Sequence, residues 1–196
     1  FMNAENSSAV PATKPKKVVS GNPADRYSNA GPSPDPWEQC ARLEYGSDRS
    51  YAWTVREQVI ATPPEGRTRL EEKILTALAT SGRTDAGLAF LCQMLAMVGS
   101  AQCVPALAPL LRAPASTEAA RYALEPIAGP AADAAFRDAL NALTGSAKAG
   151  LIGSIAIRGD RSAEPLLIAL KNSSGEPAIV REAATRALAR LTTSKA

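Results

Sequence analysis

The chain has 196 residues, 45% of them hydrophobic and only 5% aromatic, with 22 basic and 19 acidic side chains and a formal net charge of +3. That length supports one domain with a sizeable core, or a domain plus a tail. The charge excess is too small to predict a nucleic-acid surface, and no apolar run reaches the roughly 20 residues needed to span a bilayer.

Histidine is absent. This excludes Ser-His-Asp and Cys-His catalysis and histidine-bound metal, and leaves carboxylate and lysine chemistry open. Residues 1–50 hold six basic and six acidic groups, and 51–196 hold 16 and 13, so the whole excess lies in the second stretch.

In chain order, Phe1-Met2 reads as a processed or truncated start, and no basic start followed by an apolar run marks a signal peptide. Residues 1–32, rich in Asn, Ser, Pro, Gly and Lys, are expected to be a flexible tail, because they cannot bury enough surface to offset their ordering entropy. Lys14-Pro15-Lys16-Lys17 reads as solvated linker. The folded domain is expected over 33–196, as a helical cap (33–61) followed by repeats (62–196).

Asp35-Pro36-Trp37-Glu38 predicts an N-cap, a proline at N1 and a capping-box acid, opening a helix to about Tyr45. A second helix is expected from Ser50 to Ala61, with Trp53, Val55, Val59 and Ile60 partly buried. Thr62-Pro63-Pro64-Glu65 has capping-box spacing before the helical pattern Leu70, Ile74, Leu75, Leu78. Ser81-Gly82 breaks that helix. Thr84 caps a partner carrying Leu88, Leu91, Leu95 and Val98, and Gly99 is expected to close it as a C-terminal glycine.

From Gly99 a repeat emerges. Gly99, Gly129 and Gly159 lie thirty residues apart, and so do Leu110, Leu140 and Leu170, and Met97, Ile127 and Ile157. Three columns on one period predict stacked helix pairs. The units are 101–128, 130–158 and 161–191, the last interrupted by an insertion at 171–176, with a more divergent pair over 67–99. Pro105 and Pro165 share one repeat position, with Pro109 one turn further on, and all three are expected to bend first helices. Pro130 suits a helix N1 position. The expected fold is all-α, an α-solenoid of about four helix pairs behind an N-terminal helical cap.

Cys40, Cys92 and Cys103 form no CxxC and are odd in number, so they are expected to be core filler, although Cys92 and Cys103 fall on neighbouring helices. Cys92, Met94 and Met97 share a helix, and a soft-metal reading of them gives way to core packing. Arg158-Gly159-Asp160 spells an adhesive tripeptide, but its position reads as helix end, turn and next cap. Glu71, Glu72, Asp133, Asp138 and Glu164 make no acid/base pair by spacing and are expected on solvated helix surface. No metal or cofactor is expected.

Val104-Pro105-Ala106-Leu107-Ala108-Pro109-Leu110-Leu111 and Ala163-Glu164-Pro165-Leu166-Leu167-Ile168-Ala169-Leu170 resemble the first-helix pattern of bacterial HEAT-like repeats, including the type found in phycobilisome lyases. Ala119-Ala120-Arg121-Tyr122-Ala123-Leu124 and Val180-Arg181-Glu182-Ala183-Ala184 resemble the second-helix pattern. The resemblance covers about residues 67–192 and implies a right-handed, armadillo-like superhelix whose second helices line a concave side. It also implies that Arg181 stands where such repeats carry an arginine tying adjacent turns. Residues 120–127 are similar to repeat proteins of planctomycete and verrucomicrobial type, which implies a lean towards the cell envelope or secretion.

Among HEAT-like enzymes, the di-iron deoxyhypusine hydroxylases need histidines that this chain lacks, and the alkylpurine DNA glycosylases need a basic aromatic face, against which 67–192 offers Phe90, Tyr122 and Phe136. The expected function is therefore a non-enzymatic scaffold binding a protein or peptide. Arg121, Tyr122, Glu125, Arg158 and Arg181 are the candidate contacts, since Arg and Tyr dominate binding hot spots. The alternatives are a lyase-like accessory protein handling a prosthetic group and a nucleic-acid-binding array. The last helix, 177–191, carries no polar capping face, so self-association through it is also expected.

Overall fold

The computed structural model describes residues 35–193, so the tail expected over 1–32 lies outside the described residues. Those residues are all-helical, with ten α-helices and no strand. The first two, α1 (Pro36–Ala41) and α2 (Ser50–Ala61), pack together. Four pairs follow. They are α3 (Arg67–Leu78) with α4 (Asp85–Val98), α5 (Val104–Leu107) with α6 (Pro114–Leu124), α7 (Pro130–Ala139) with α8 (Gly145–Arg158), and α9 (Glu164–Asn172) with α10 (Ala178–Thr193). The second helix of each pair packs on that of the next: α4 on α6, α6 on α8, α8 on α10. No described helix is long and apolar enough to cross a membrane.

Local chemistry sets the boundaries. Asp35 accepts a hydrogen bond from the Trp37 amide at 3.0 Å, and Pro36 fills N1, where a missing N–H costs nothing. Glu38 does not complete the expected box; it pairs with Arg42 at 2.9 Å. α1 ends at Ala41, short of the expected Tyr45, because the start of α4 takes its carbonyls. The Thr84 amide donates to Ala41 O at 3.1 Å and the Thr84 hydroxyl to Leu43 O. Thr84 also caps α4 as expected, accepting from the Gly87 amide at 2.9 Å. At Gly87 the chains meet with no room for a side chain, since a Cβ would lie 1.9 Å from Ala41 O.

Along α2, Val55 and Val59 are buried as expected, whereas Trp53 and Ile60 are exposed, because these neighbours fall on the opposite side of a 100°-per-residue helix. Thr62 does not cap α3. Its hydroxyl donates back to Gln58 O at 2.6 Å, and a 3₁₀ turn, Pro64–Gly66, precedes the helix. Pro105 and Pro165 do not bend helices either. Each stands at the second residue of its α-helix, directly after a 3₁₀ turn (Ala101–Cys103 and Arg161–Ala163), where no intrahelical donor is needed. Pro109 does interrupt: α5 stops after four residues and continues as a 3₁₀ segment, Ala108–Arg112.

The core runs unbroken from Trp37 to Leu191. Buried alanines such as Ala120, Ala123, Ala132, Ala139, Ala184 and Ala187 take up little volume at the helix contacts, which suits closely spaced axes. Cys40, Cys92 and Cys103 are buried free thiols. Burial pushes each from the ordinary 9.0 to about 12, with Asp35, Cys103 and Glu71 respectively adding smaller upward pushes. They are packing atoms, as their residue type suggests.

The thirty-residue glycines serve two different needs. Gly129 (φ 105°) and Gly159 (φ 72°) hold conformations that side-chain-bearing residues avoid. Gly99 does close α4 as its C-cap, but with an extended backbone, φ −64° and ψ 148°, where no left-handed conformation calls for glycine. Crowding explains it, since a Cβ there would sit 2.5 Å from Leu95 O.

Polar side chains tie neighbouring pairs across 23 to 34 residues of sequence. Glu71, expected on the surface, is buried and accepts the Ser100 amide and hydroxyl, both at 2.8 Å. Lys148 in α8 donates to Glu176, within the insertion before α10, at 2.6 Å. Asp160 caps the following 3₁₀ turn at 3.1 Å and pairs with Arg137. Each tie satisfies a group whose burial alone would be costly.

Candidate partner-binding groove

The second helices α4, α6 and α8 lie side by side, and a groove opens on their outer surface. α4 contributes Ala96 and Met97, and α8 contributes Ile157. Tyr122 in α6 stands between them. Met97, Tyr122 and Ile157 are 41%, 61% and 51% exposed, large apolar groups left in water by three successive helices. The repeat column explains two of them. Met97 and Ile157 are one residue from the ends of helices that run to Val98 and Arg158. Ile127, the middle member of the column, is instead buried. α6 stops at Leu124 because Pro126 has no N–H to bond the Tyr122 carbonyl. The chain then turns Ile127 inwards.

Beside the apolar groups lies a charged row, one arginine between two glutamates. Arg121 pairs with Glu118 at 2.5 Å and lies 3.6 Å from Glu125. Its Nη1 donates to Ser154 Oγ at 3.2 Å, and Ser154 donates on to Glu125 at 2.7 Å. Gly150 makes room for this: a Cβ there would meet the Glu118 carboxylate at 3.2 Å and Arg121 Nε at 3.6 Å. Arg121 Nε is buried and has no hydrogen-bond partner among the described residues. The row links α6 to α8 and presents two carboxylates to one guanidinium along the groove.

Arg121, Tyr122 and Glu125 are thus brought together as expected from their shared helix. Arg158 is not with them, and its placing corrects the expectation of a partner contact. Its side chain is 6% exposed. Nη1 donates to the carbonyls of Leu124, Glu125 and Ile127 at 3.0, 2.8 and 2.6 Å, and Nε donates to Asp133 at 2.7 Å. The guanidinium also lies over the Phe136 ring, 5.7 Å from its centroid. It collects the carbonyls that α6 frees by ending early, which a planar fork of donors does better than a lysine. Asp133, expected in solvent, is the anion of that cluster. The Arg158-Gly159-Asp160 tripeptide is correspondingly helix end, turn and cap, its two charges paired within the fold.

Arg181 stands apart on α10, exposed, with no side-chain hydrogen bond or ion pair among the described residues. The role that the resemblance assigns to it, tying adjacent turns, is filled elsewhere by Arg158 and Arg121. Along α8 and α10 a second shallow groove shares Ile157, floored by Gly153, Ala156 and Ala183 and edged by Arg186 and Arg190.

Sequence reasoning did not single out Ile157, which served only as a repeat marker, and read Met97 as core packing. The signal available was Pro126, which breaks the column's equivalence. Ser154 and Gly150 gave no signal, because neither residue type marks a contact until the helices are placed. Cys92 and Met94 are buried while Met97 faces the groove, so the three sulfurs do not share one environment. Comparison of the chain with protein-family models, with curated proteins and with solved structures found no match.

Proposed function

We propose that the chain is a HEAT-like, right-handed α-solenoid that serves as a non-enzymatic scaffold, holding a protein or peptide partner along its second helices. One observation carries the reading: Met97, Tyr122 and Ile157, from three successive second helices, stand exposed around one groove. Exposed apolar groups gathered in one place mark interaction sites, and tyrosine is a frequent anchor because it buries much area for little lost entropy. The contact order supports the solenoid reading, as each second helix packs on the next one along. The exposed apolar trio favours a partner that offers an apolar strip, such as one face of an amphipathic helix.

The test is affinity capture with the full chain, followed by mass spectrometry, repeated with Tyr122→Ala and Ile157→Asp. The expected result is a partner retained by the parent chain and lost from both variants while their helical circular dichroism is unchanged. A partner held equally by all three would overturn the assignment of this groove.

A further inference from the structure

A second recess lies between α2 and α4, built by two helix faces with the same spacing. α2 presents Arg49, Ala52, Trp53 and Arg56 at i, i+3, i+4 and i+7, counting from the residue before its first turn. α4 presents Ala86, Ala89, Phe90 and Gln93 on the same pattern. Residues so spaced line one side of a helix. The two alanine-bearing faces leave a hollow between aromatic walls, Trp53 on one side and Phe90 on the other, with Tyr45 of the α1–α2 connection at the rim.

The charge of the recess has one sign. Arg49 and Arg56 line it and no carboxylate does. Arg49 lies over the Tyr45 ring, 5.9 Å from its centroid, and neither arginine has an ion-pair partner among the described residues. Asp48, adjacent in sequence, turns its carboxylate to the Ser50 amide and hydroxyl at 2.9 and 2.8 Å. This differs from the Tyr122 groove, where Arg121 is flanked by Glu118 and Glu125.

We infer that the recess between α2 and α4 is a separate binding site for an acidic peptide segment, with one large apolar side chain seated between Trp53 and Phe90 and flanking carboxylates paired with Arg49 and Arg56. The apolar hollow supplies the burial term, and the guanidinia supply bidentate donors that an acidic segment satisfies and a basic one repels. Tyr45 and Trp53, both mostly exposed, have the amphipathic rings that anchor such contacts. The inference stands independently of the Tyr122 groove.

The chain carries its own reporter. Of its two tryptophans, Trp37 is 5% exposed and Trp53 is 62% exposed, so a ligand in the recess changes the emission of Trp53. The full chain is titrated with an end-blocked peptide of one phenylalanine between two pairs of glutamates. Controls replace the glutamates with lysines, or the phenylalanine with serine. A saturable blue shift is expected with the acidic phenylalanine peptide alone, weakening as salt is raised. The Arg49→Gln/Arg56→Gln double variant is expected to bind about tenfold more weakly, each rim pair contributing a modest share. Tyr122→Ala is expected to bind the peptide unchanged. Absence of a saturable shift, equal binding of the lysine peptide, or an unaltered affinity in the double arginine variant would overturn the inference. Loss of binding in Tyr122→Ala would move the peptide to the other groove and overturn it equally, without touching the scaffold reading.

Discussion

The junction of α1 with α4 and the junction of α6 with α8 solve one problem in opposite ways. Both join neighbouring helices and both must satisfy the carbonyls at a helix end. At the first, the main chains come into direct contact, helped by one short hydroxyl. Thr84 donates to Ala41 O and Leu43 O, and Gly87 lets the main chains close up by lacking a side chain. At the second, long side chains reach across. Arg158 gathers the carbonyls of Leu124, Glu125 and Ile127, and Ser154 relays between Arg121 and Glu125. The difference teaches that a boundary between units can rest on an atom that is missing or on a group that is added. The former tolerates no substitution, whereas the latter degrades in steps.

Four substitutions test that contrast. Gly87→Ala is expected to cost most, about 4 kcal/mol, because a Cβ placed 1.9 Å from Ala41 O can be relieved only by backbone movement. Urea denaturation followed by circular dichroism measures it, and a loss below that of the next variant would break the comparison. Arg158→Met keeps much of the stem and strips the donors. It is expected to cost about 3 kcal/mol by the same measurement, leaving Asp133 and the α6 carbonyls without their cation. Gly129→Ala separates crowding from conformation. Nothing lies within 4 Å of the added Cβ, so its cost, about 2 kcal/mol, comes from φ 105° and ψ 165° alone. A thermal melt showing no change at Gly129 would mean that this turn relaxes freely. Tyr122→Ala is expected to change stability least, within about 0.5 kcal/mol, because an exposed ring supports no neighbour. A larger loss would make Tyr122 part of the junction instead of the groove.

The pairing of helices was readable from the thirty-residue columns, and so were the caps at Asp35 and Thr84, because these depend on local spacing and short side chains. Much of the rest depends on what stands opposite. Glu71 looks like any surface glutamate until Ser100 is set against it. Trp53 and Val55 are two residues apart on opposite sides of α2, and only the placing of its neighbouring helices decides which of them is covered. Gly99 shares a column with Gly129 and Gly159 yet keeps an ordinary backbone conformation, so its identity reflects Leu95 O close by. For the candidate site, Arg121, Tyr122 and Glu125 could be grouped by helical spacing. Arg158 could not be told from them, since a buried guanidinium and an exposed one have the same letter. Met97 read as core packing beside Cys92 and Met94, and Ile157 was seen only as a marker of the repeat.

The early end of α6 shapes what an approaching molecule would feel. A helix terminus with free carbonyls behaves as a partial negative pole. Here that pole lies under the groove at Pro126, and Arg158 is set against it from below. Arg158 offsets the pole and also pairs with Asp133, while the Arg121 row above sets one guanidinium against two carboxylates. The Tyr122 groove therefore has a small acidic excess, while the recess at Trp53 is lined by two arginines and no carboxylate. The two candidate surfaces thus differ in the sign of their charge, and a partner proposed for one would be disfavoured electrostatically at the other.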